Sequence, residues 1–94
     1  MVTLTDHAAT VIRDLVRQHG LSGGTGLRIV ADTTRHTLMF SLVTVPAPTD
    51  TVVEHGGAVV FLDPAATVIL DRKALDAAIG AQGKAQFSIA DQPA

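Results

Sequence analysis

The feature that most constrains the fold is a change of hydrophobic period close to residue 20. Before it, one apolar stripe recurs at helical spacing, formed by Ala8, Val11, Ile12, Leu15 and Val16. After it, apolar and polar residues alternate, as they do in half-buried strands. Thr5 is a candidate N-cap and Gly20 a candidate residue after the helix end. The sequence therefore predicts a helix from about Asp6 to His19, followed by a run of strands.

The alternating runs predict strands at residues 27–32, 37–45, 51–55, 58–62 and 85–89. The polar residues 33–36 and the pair Gly56-Gly57 have lengths that suit hairpins. In the second run, the side chains predicted to face the core are those of Leu38, Phe40 and Leu42. Asp63 followed by Pro64 predicts the start of a short helix through Leu70. Residues 73–79 could form either structure, and local propensity favours a helix.

Composition argues against two classes of partner. Nine acidic and seven basic residues give a formal charge of -2, and the densest basic cluster is the pair Arg72-Lys73. Nucleic-acid binding needs a basic face that neutralises phosphates, so we predict no nucleic-acid partner. The longest aliphatic or aromatic run, Ala58 to Leu62, is far too short to span a bilayer. We therefore predict a cytoplasmic protein with no membrane partner.

The absence of cysteine restricts the chemistry further. Within one chain it excludes disulfides, thiolate zinc sites, cysteine nucleophiles and all-cysteine iron-sulfur sites. The segment from Gly20 to Gly24 matches the G-x-S-x-G pattern of hydrolase nucleophile elbows. That motif joins a strand to a helix, whereas here a predicted helix comes first. We therefore predict a plain loop at Ser22 and no catalytic residue.

Four histidines are the remaining candidates for metal binding or proton transfer. His7 and His19 lie about 18 Å apart along one predicted helix, and His36 and His55 have no partner at i+2 or i+4. His36, with Asp32 across the predicted hairpin, is the best candidate for a weak metal or proton site. The alternative is that His36 is a solvent-facing polar residue near a turn.

Five segments in order resemble the HesB/IscA-type domain, the A-type carriers of iron-sulfur cluster biogenesis: LTDHAATVIRDLV, GLRI, PTDTVVEHGGAVVFLD, LD and GKAQFSI. The resemblance extends from Leu4 to about Ala90, and the length suits a single domain over residues 1–94. It implies a small, β-rich α+β fold with an N-terminal helix, twisted antiparallel or mixed sheets and a second short helix. It also implies that Leu75-Asp76 lies in a strand and that the chain forms a dimer or tetramer.

The resemblance fails at the family's ligands. A-type carriers hold iron or a cluster with one cysteine in a G-C-S-G-like loop after the GLR strand and two in a C-terminal C-G-C. The first loop corresponds to residues 33–36. This segment is shorter than the family's loop and contains no cysteine, and the C-G-C has no counterpart. No family ligand transfers to any residue of this chain.

We therefore predict a non-enzymatic domain without a cofactor, which retains the family fold, has lost cluster binding and acts as an interaction or regulatory module. A protein of iron-sulfur assembly is the partner that the resemblance suggests. Two alternatives stay open. One is a carrier of iron or another metal, with a His/Asp site assembled between subunits and His36 as a ligand. The other is a small-molecule-binding protein of unknown specificity.

Overall fold

The computed structural model describes residues 1–20 and 25–92. The helices and strands of these residues are, in chain order, β1 (Thr3–Leu4), α1 (Asp6–Gln18), β2 (Gly26–Asp32), β3 (Thr37–Val43), β4 (Thr51–His55), β5 (Ala58–Leu62), α2 (Pro64–Ile69), β6 (Lys73–Ile79) and β7 (Ala85–Asp91). No helix in this part of the chain has the length and apolar character needed to cross a membrane.

The strands form two sheets. The smaller sheet has the order β1-β6-β7, with β1 parallel to β6 and β7 antiparallel to it. The larger sheet has the order β3-β2-β5-β4. Its central strands β2 and β5 are parallel, and each forms an antiparallel hairpin with an edge strand, β2 with β3 and β5 with β4. The predicted α+β class with mixed sheets is confirmed. The two-residue strand β1 was not predicted.

Both helices begin where the sequence predicted, because their caps are local. The Thr5 hydroxyl accepts a hydrogen bond from the Ala8 amide at 3.0 Å, which caps α1. The Asp63 carboxylate accepts one from the Ala66 amide at 2.7 Å, which caps α2. Gly20 follows α1 with a φ of 67°, the left-handed conformation that favours glycine after a helix end.

Strand β6 is the element on which local propensity and family resemblance disagreed. Residues 73–79 form the central strand of the smaller sheet, so the strand that the resemblance implied is confirmed and the helix that local propensity favoured is wrong. Pairing with strands on both sides outweighs a small difference in local preference. The inward side chains of β6 are buried, with Leu75 at 0% and Ala77 at 2% exposure.

One hydrophobic core joins both sheets and both helices, with members that include Ile12, Ile29, Leu70 and Leu75. Both helices pack against β2 and β5, and α1 also packs against β6. The edge strand β3 lies beside the strands that the helices cover. Its predicted core-facing residues are therefore only partly enclosed: Leu38 and Leu42 are half-buried, and Phe40 is 37% exposed.

The connection from β3 to β4 joins strands at opposite edges of the larger sheet. It crosses the outer face, which carries Arg28 and lies opposite the buried Leu27 and Ile29. It is held there by Arg28, whose Nε donates to Asp50 Oδ2 at 2.8 Å and whose Nη2 donates to Asp50 Oδ1 at 3.1 Å. Asp50 Oδ2 also accepts from the Ala47 amide. The Asp50 side chain is fully buried. Hydrogen bonding from Arg28 lowers the pKa of Asp50 below its usual value.

Candidate functional site

The turn between β2 and β3, residues 33–36, is organised by Asp32. Asp32 Oδ1 accepts hydrogen bonds from the amides of Thr34 at 3.1 Å and Arg35 at 3.2 Å, which is the pattern of an Asx turn. Arg35 Nε lies 3.8 Å from Asp32 Oδ2. His36 completes the turn with a φ of 55°, a conformation in which histidine is more common than most other non-glycine residues.

A cleft of about 580 Å³ opens beside this turn, and we call it the α2 groove. Its apolar lining comes from Leu38, Ile69, Leu70 and Ile89. Its polar rim comes from Asp32, Thr33, His36, Thr37 and Lys73. Two apolar side chains are well exposed to solvent, Ile69 at 47% and Ile89 at 36%. The groove therefore offers mainly apolar surface.

The structure places both predicted metal-site residues, Asp32 and His36, on the rim of the α2 groove. One carboxylate oxygen of Asp32 is already used by the turn. In residues 1–20 and 25–92, no group of three or more His, Asp or Glu side chains could hold a metal ion. Protein zinc sites take three or four protein ligands, so these two residues form an incomplete site within one chain.

The remaining charges on the rim are paired. Lys73 contacts Asp91, and this hydrogen bond lowers the pKa of Asp91 below its usual value. Both side chains are more than one-third exposed, so the pair adds little to stability. The rim of the groove thus carries no strong excess of either sign.

A second cleft of about 610 Å³ lies farther along β3, and we call it the α1 groove. Leu15 and His19 approach it from the first helix, and Leu42 lines it from β3. The rings of Phe40 and Phe87 stack at 4.9 Å between their centroids and are 8° from parallel. This stack links the two sheets and forms part of the wall of the α1 groove.

Two other candidates from the sequence are His55 and Ser22. His55 Nε2 lies 2.7 Å from Asp6 Oδ1 at the start of α1, and both side chains are substantially exposed. The residue Ser22 lies outside the described residues.

The sequence interpretation missed the apolar half of the α2 groove. Ile69 and Ile89 are twenty positions apart in the sequence and belong to different elements, and no spacing rule brings them together. In the sequence, Ile69 is recognisable only as an apolar residue at the end of a short helix, and Ile89 only as an apolar residue of an alternating strand. Only the packing of α2 and β7 beside the β2–β3 turn combines them.

Comparison with solved structures identifies the fold of this chain. SufA from Escherichia coli, a protein involved in the biosynthesis of iron-sulfur clusters, is similar over 96% of this chain and 84% of its own, with a TM-score of 0.77 and 26% identity. The chain has the HesB/IscA-type fold. The resemblance stated from the sequence is confirmed, including the absence of every cysteine.

Two further structures share the HesB/IscA-type fold with this chain. A protein from Aquifex aeolicus, solved in solution, has a TM-score of 0.77 at 20% identity and covers 96% of this chain and 90% of its own. IscA with a [2Fe-2S] cluster has a TM-score of 0.63 at 21% identity and covers 97% and 85%. No family model matches the chain, and no curated protein matches it in sequence.

Proposed function

We propose that this chain is a HesB/IscA-type module that binds no iron-sulfur cluster and acts by contacting another protein through the α2 groove. The observation that supports this most is the character of the groove beside residues 33–36. The resemblance assigns the family's cysteine loop to those residues, and here they form a short turn without cysteine. Next to that turn lies apolar surface in place of a ligand set.

The exposed side chains of the α2 groove supply a physical reason for binding. Ile69 and Ile89 are 47% and 36% exposed, although neither lies in a loop. Covering the exposed half of an isoleucine side chain contributes about 1 kcal/mol. A partner that fills the groove gains this from both residues and also covers the half-buried Leu38, which lines the same groove.

Cluster binding is tested by reconstitution with iron and sulfide in the absence of oxygen. We expect no visible absorption band and no stoichiometric bound iron, because the chain contains no thiolate ligand. IscA, whose solved structure holds a [2Fe-2S] cluster, is treated in parallel as the positive control. A stable coloured protein with stoichiometric iron would contradict this part of the proposal.

Protein binding through the α2 groove is tested with two adjacent residues of α2. Ile69 lines the groove, whereas Val68 is 77% exposed and does not line it. We expect the I69D variant to lose proteins that the wild type captures from cell extract, and the V68D variant to retain them. Iron-sulfur assembly proteins are the first set to examine. Equal capture by both variants would rule out the groove as the contact surface.

A metal carrier is the second candidate, and its support is that Asp32 and His36 share one rim. Ligands from another subunit would have to complete the site. The test is a titration with ferrous iron and with zinc, in which His36→Ala should abolish binding and His55→Ala, remote from the groove, should preserve it. An isotherm that His36→Ala leaves unchanged would remove the named ligand.

Self-association is also part of the proposal, since the resemblance implies a dimer or tetramer. Sedimentation over a range of concentrations checks it, and a chain that stays monomeric at every concentration would contradict it. The absence of enzymatic activity, the cytoplasmic location and the single-domain organisation stay predictions.

A further inference from the structure

Strand β3 presents a free backbone edge that lacks the usual protection. It pairs with β2 through seven consecutive residues, from Asp32↔Thr37 to Gly26↔Val43, and it has no second strand neighbour among the described residues. Edge strands are normally blunted by short length, charge, proline or a bulge. The seven residues of β3, TLMFSLV, contain neither charge nor proline, and the continuous register leaves no bulge. An additional strand can therefore pair along its whole length.

Three other edge strands differ in ways that make β3 the better template. The strand β1 has only two residues. The strand β4 carries Glu54, and β7 ends at Asp91, which is paired with Lys73. By contrast, no ionisable side chain occurs in the chain from Thr37 to Thr49. A charged partner segment would find no counter-charge along β3, so an uncharged segment is the better match for this strand.

The two grooves have the spacing of side chains on one face of an extended strand. Leu38 lines the α2 groove and Leu42 lines the α1 groove. Phe40 lies between these two residues along β3 and stacks on Phe87 in the wall of the α1 groove. Four residues of strand span about 13 Å. A peptide paired with β3 has the same rise per residue, so its side chains i and i+4 reach the two grooves while side chain i+2 lies over the stack.

We propose that β3 accepts an extended, uncharged segment of a partner protein as an additional strand, with apolar side chains four residues apart in the α2 and α1 grooves. This proposal rests on the proposed function, because the α2 groove is one of its two side-chain pockets. Backbone pairing supplies affinity in this mode of recognition, and the pockets supply specificity. The preferred partner sequence is thus apolar at i and i+4, with a small or aromatic residue at i+2 against the exposed Phe40.

The test uses a display library of random peptides of about nine residues, a length close to that of an ordinary strand. We expect the selected peptides to be uncharged and apolar at i and i+4. A synthetic peptide of the selected sequence should shift the NMR amide signals of β3 in the intact chain. Leu38→Lys and Leu42→Lys should each weaken its binding about tenfold or more, since each places a charge in a groove. Val68→Lys, outside both grooves, should have no effect.

Backbone pairing is tested on the peptide, which keeps the test valid if a substitution in the chain disturbs folding. N-methylation removes one amide donor, and the peptide is methylated at each position in turn. Binding should weaken about tenfold at alternate residues, whose amides pair with β3, and little at the residues between them. Equal effects at all positions would overturn the proposal. So would selected peptides that are charged or helical, signal changes confined to residues outside β3 and the two grooves, or concentration-dependent pairing of β3 with β3 of a second copy.

The two proposals fail in different ways. If I69D abolishes protein capture while the selected peptides do not contact β3, the protein-binding function stands and strand addition is wrong. If I69D and V68D capture the same proteins, the α2 groove is not the contact surface. In that case a peptide that shifts the amide signals of β3 but not those of Ile69 and Ile89 would overturn the two-groove arrangement as well, because one of its pockets would be unused.

Discussion

The two faces of the larger sheet are covered by different kinds of contact. On the outer face, the β3–β4 connection is closed by a hydrogen-bonded ion pair, with Asp50 fully buried against Arg28. On the inner face, the helices cover the central strands but leave Phe40 of β3 partly exposed. The first arrangement holds a connection in place, whereas the second leaves apolar area that a further molecule can cover. The contrast separates residues that stabilise the fold from residues that are available for binding.

The largest effect is expected for two cross-strand neighbours on the inner face. Ile29 is fully buried and Phe40 is 37% exposed, although they are register partners. Ile29→Ala should lower the free energy of unfolding by about 3 kcal/mol, whereas Phe40→Ala should cost about 1–2 kcal/mol despite removing more atoms. Urea denaturation measures both. An equal or larger loss for Phe40→Ala would show that the inner face of β3 belongs to the core.

The next effect tests how tightly the outer face is packed. A Cβ atom on Gly26 would lie 2.8 Å from Phe61 Cε2 and 2.8 Å from the Val59 carbonyl oxygen. Gly26→Ala should therefore destabilise the fold by about 1–3 kcal/mol, because the backbone at Val59 has to shift. Gly80→Ala is the matched control, since its nearest atom is the side-chain nitrogen of Gln86 at 3.3 Å. Similar unfolding midpoints for the two variants would contradict the tight packing.

A smaller, pH-dependent loss is expected for the ion pair of the outer face. Because Arg28 lowers the pKa of Asp50, this carboxylate stabilises the fold above its unfolded pKa of about 3.9, and the stabilisation is lost as pH falls through the lower folded value. Asp50→Asn should therefore be less stable than the wild type at pH 7.

The difference between Asp50→Asn and the wild type should shrink below about pH 4. Denaturation at several pH values checks this, with Asp14→Asn as a surface control because Asp14 is 46% exposed and 3.8 Å from Arg17. A difference that stays the same between neutral and strongly acidic pH would show that the ionised pair is not what stabilises this face.

The smallest effect is expected in the α2 groove. Ile69→Asp should lower the free energy of unfolding by about 1 kcal/mol, because only the buried half of the side chain contributes to stability and the side chain is already 47% exposed in the free chain. Thermal unfolding of this variant and of Val68→Asp measures the difference. A large loss for Ile69→Asp alone would mean that Ile69 serves the core, and it would also make the capture experiment uninterpretable with that variant.

Local signals were sufficient for the elements that are built from near neighbours. Thr5 and Asp63 cap their helices as predicted, and Gly56 and Gly57 both have the positive φ that the tight hairpin needs. The segment 73–79 was different, because only the family resemblance indicated a strand there. Its conformation depends on β1 and β7, which pair with it from both sides and are distant in sequence.

The candidate site was predicted only in part. Asp32 and His36 do lie together on one rim, as expected of residues across a short hairpin. The apolar residues Ile69 and Ile89 were not connected with them, and neither was the pairing of Arg28 with Asp50 noticed. These contacts join residues 20 or more positions apart, where no periodicity reports proximity.

The order of helices and strands, the turn chemistry and the loss of every cysteine ligand follow from the chain itself, because caps, alternation and side-chain identity are local properties. The exposure of β3, the closing of the outer face by Asp50 and the pair of grooves beside Phe40 were decided by the packing of two sheets against two helices. Which part of an apolar strand is covered depends on what lies over it. In this fold, the helices lie over β2 and β5, so the apolar strand β3 is left only partly covered.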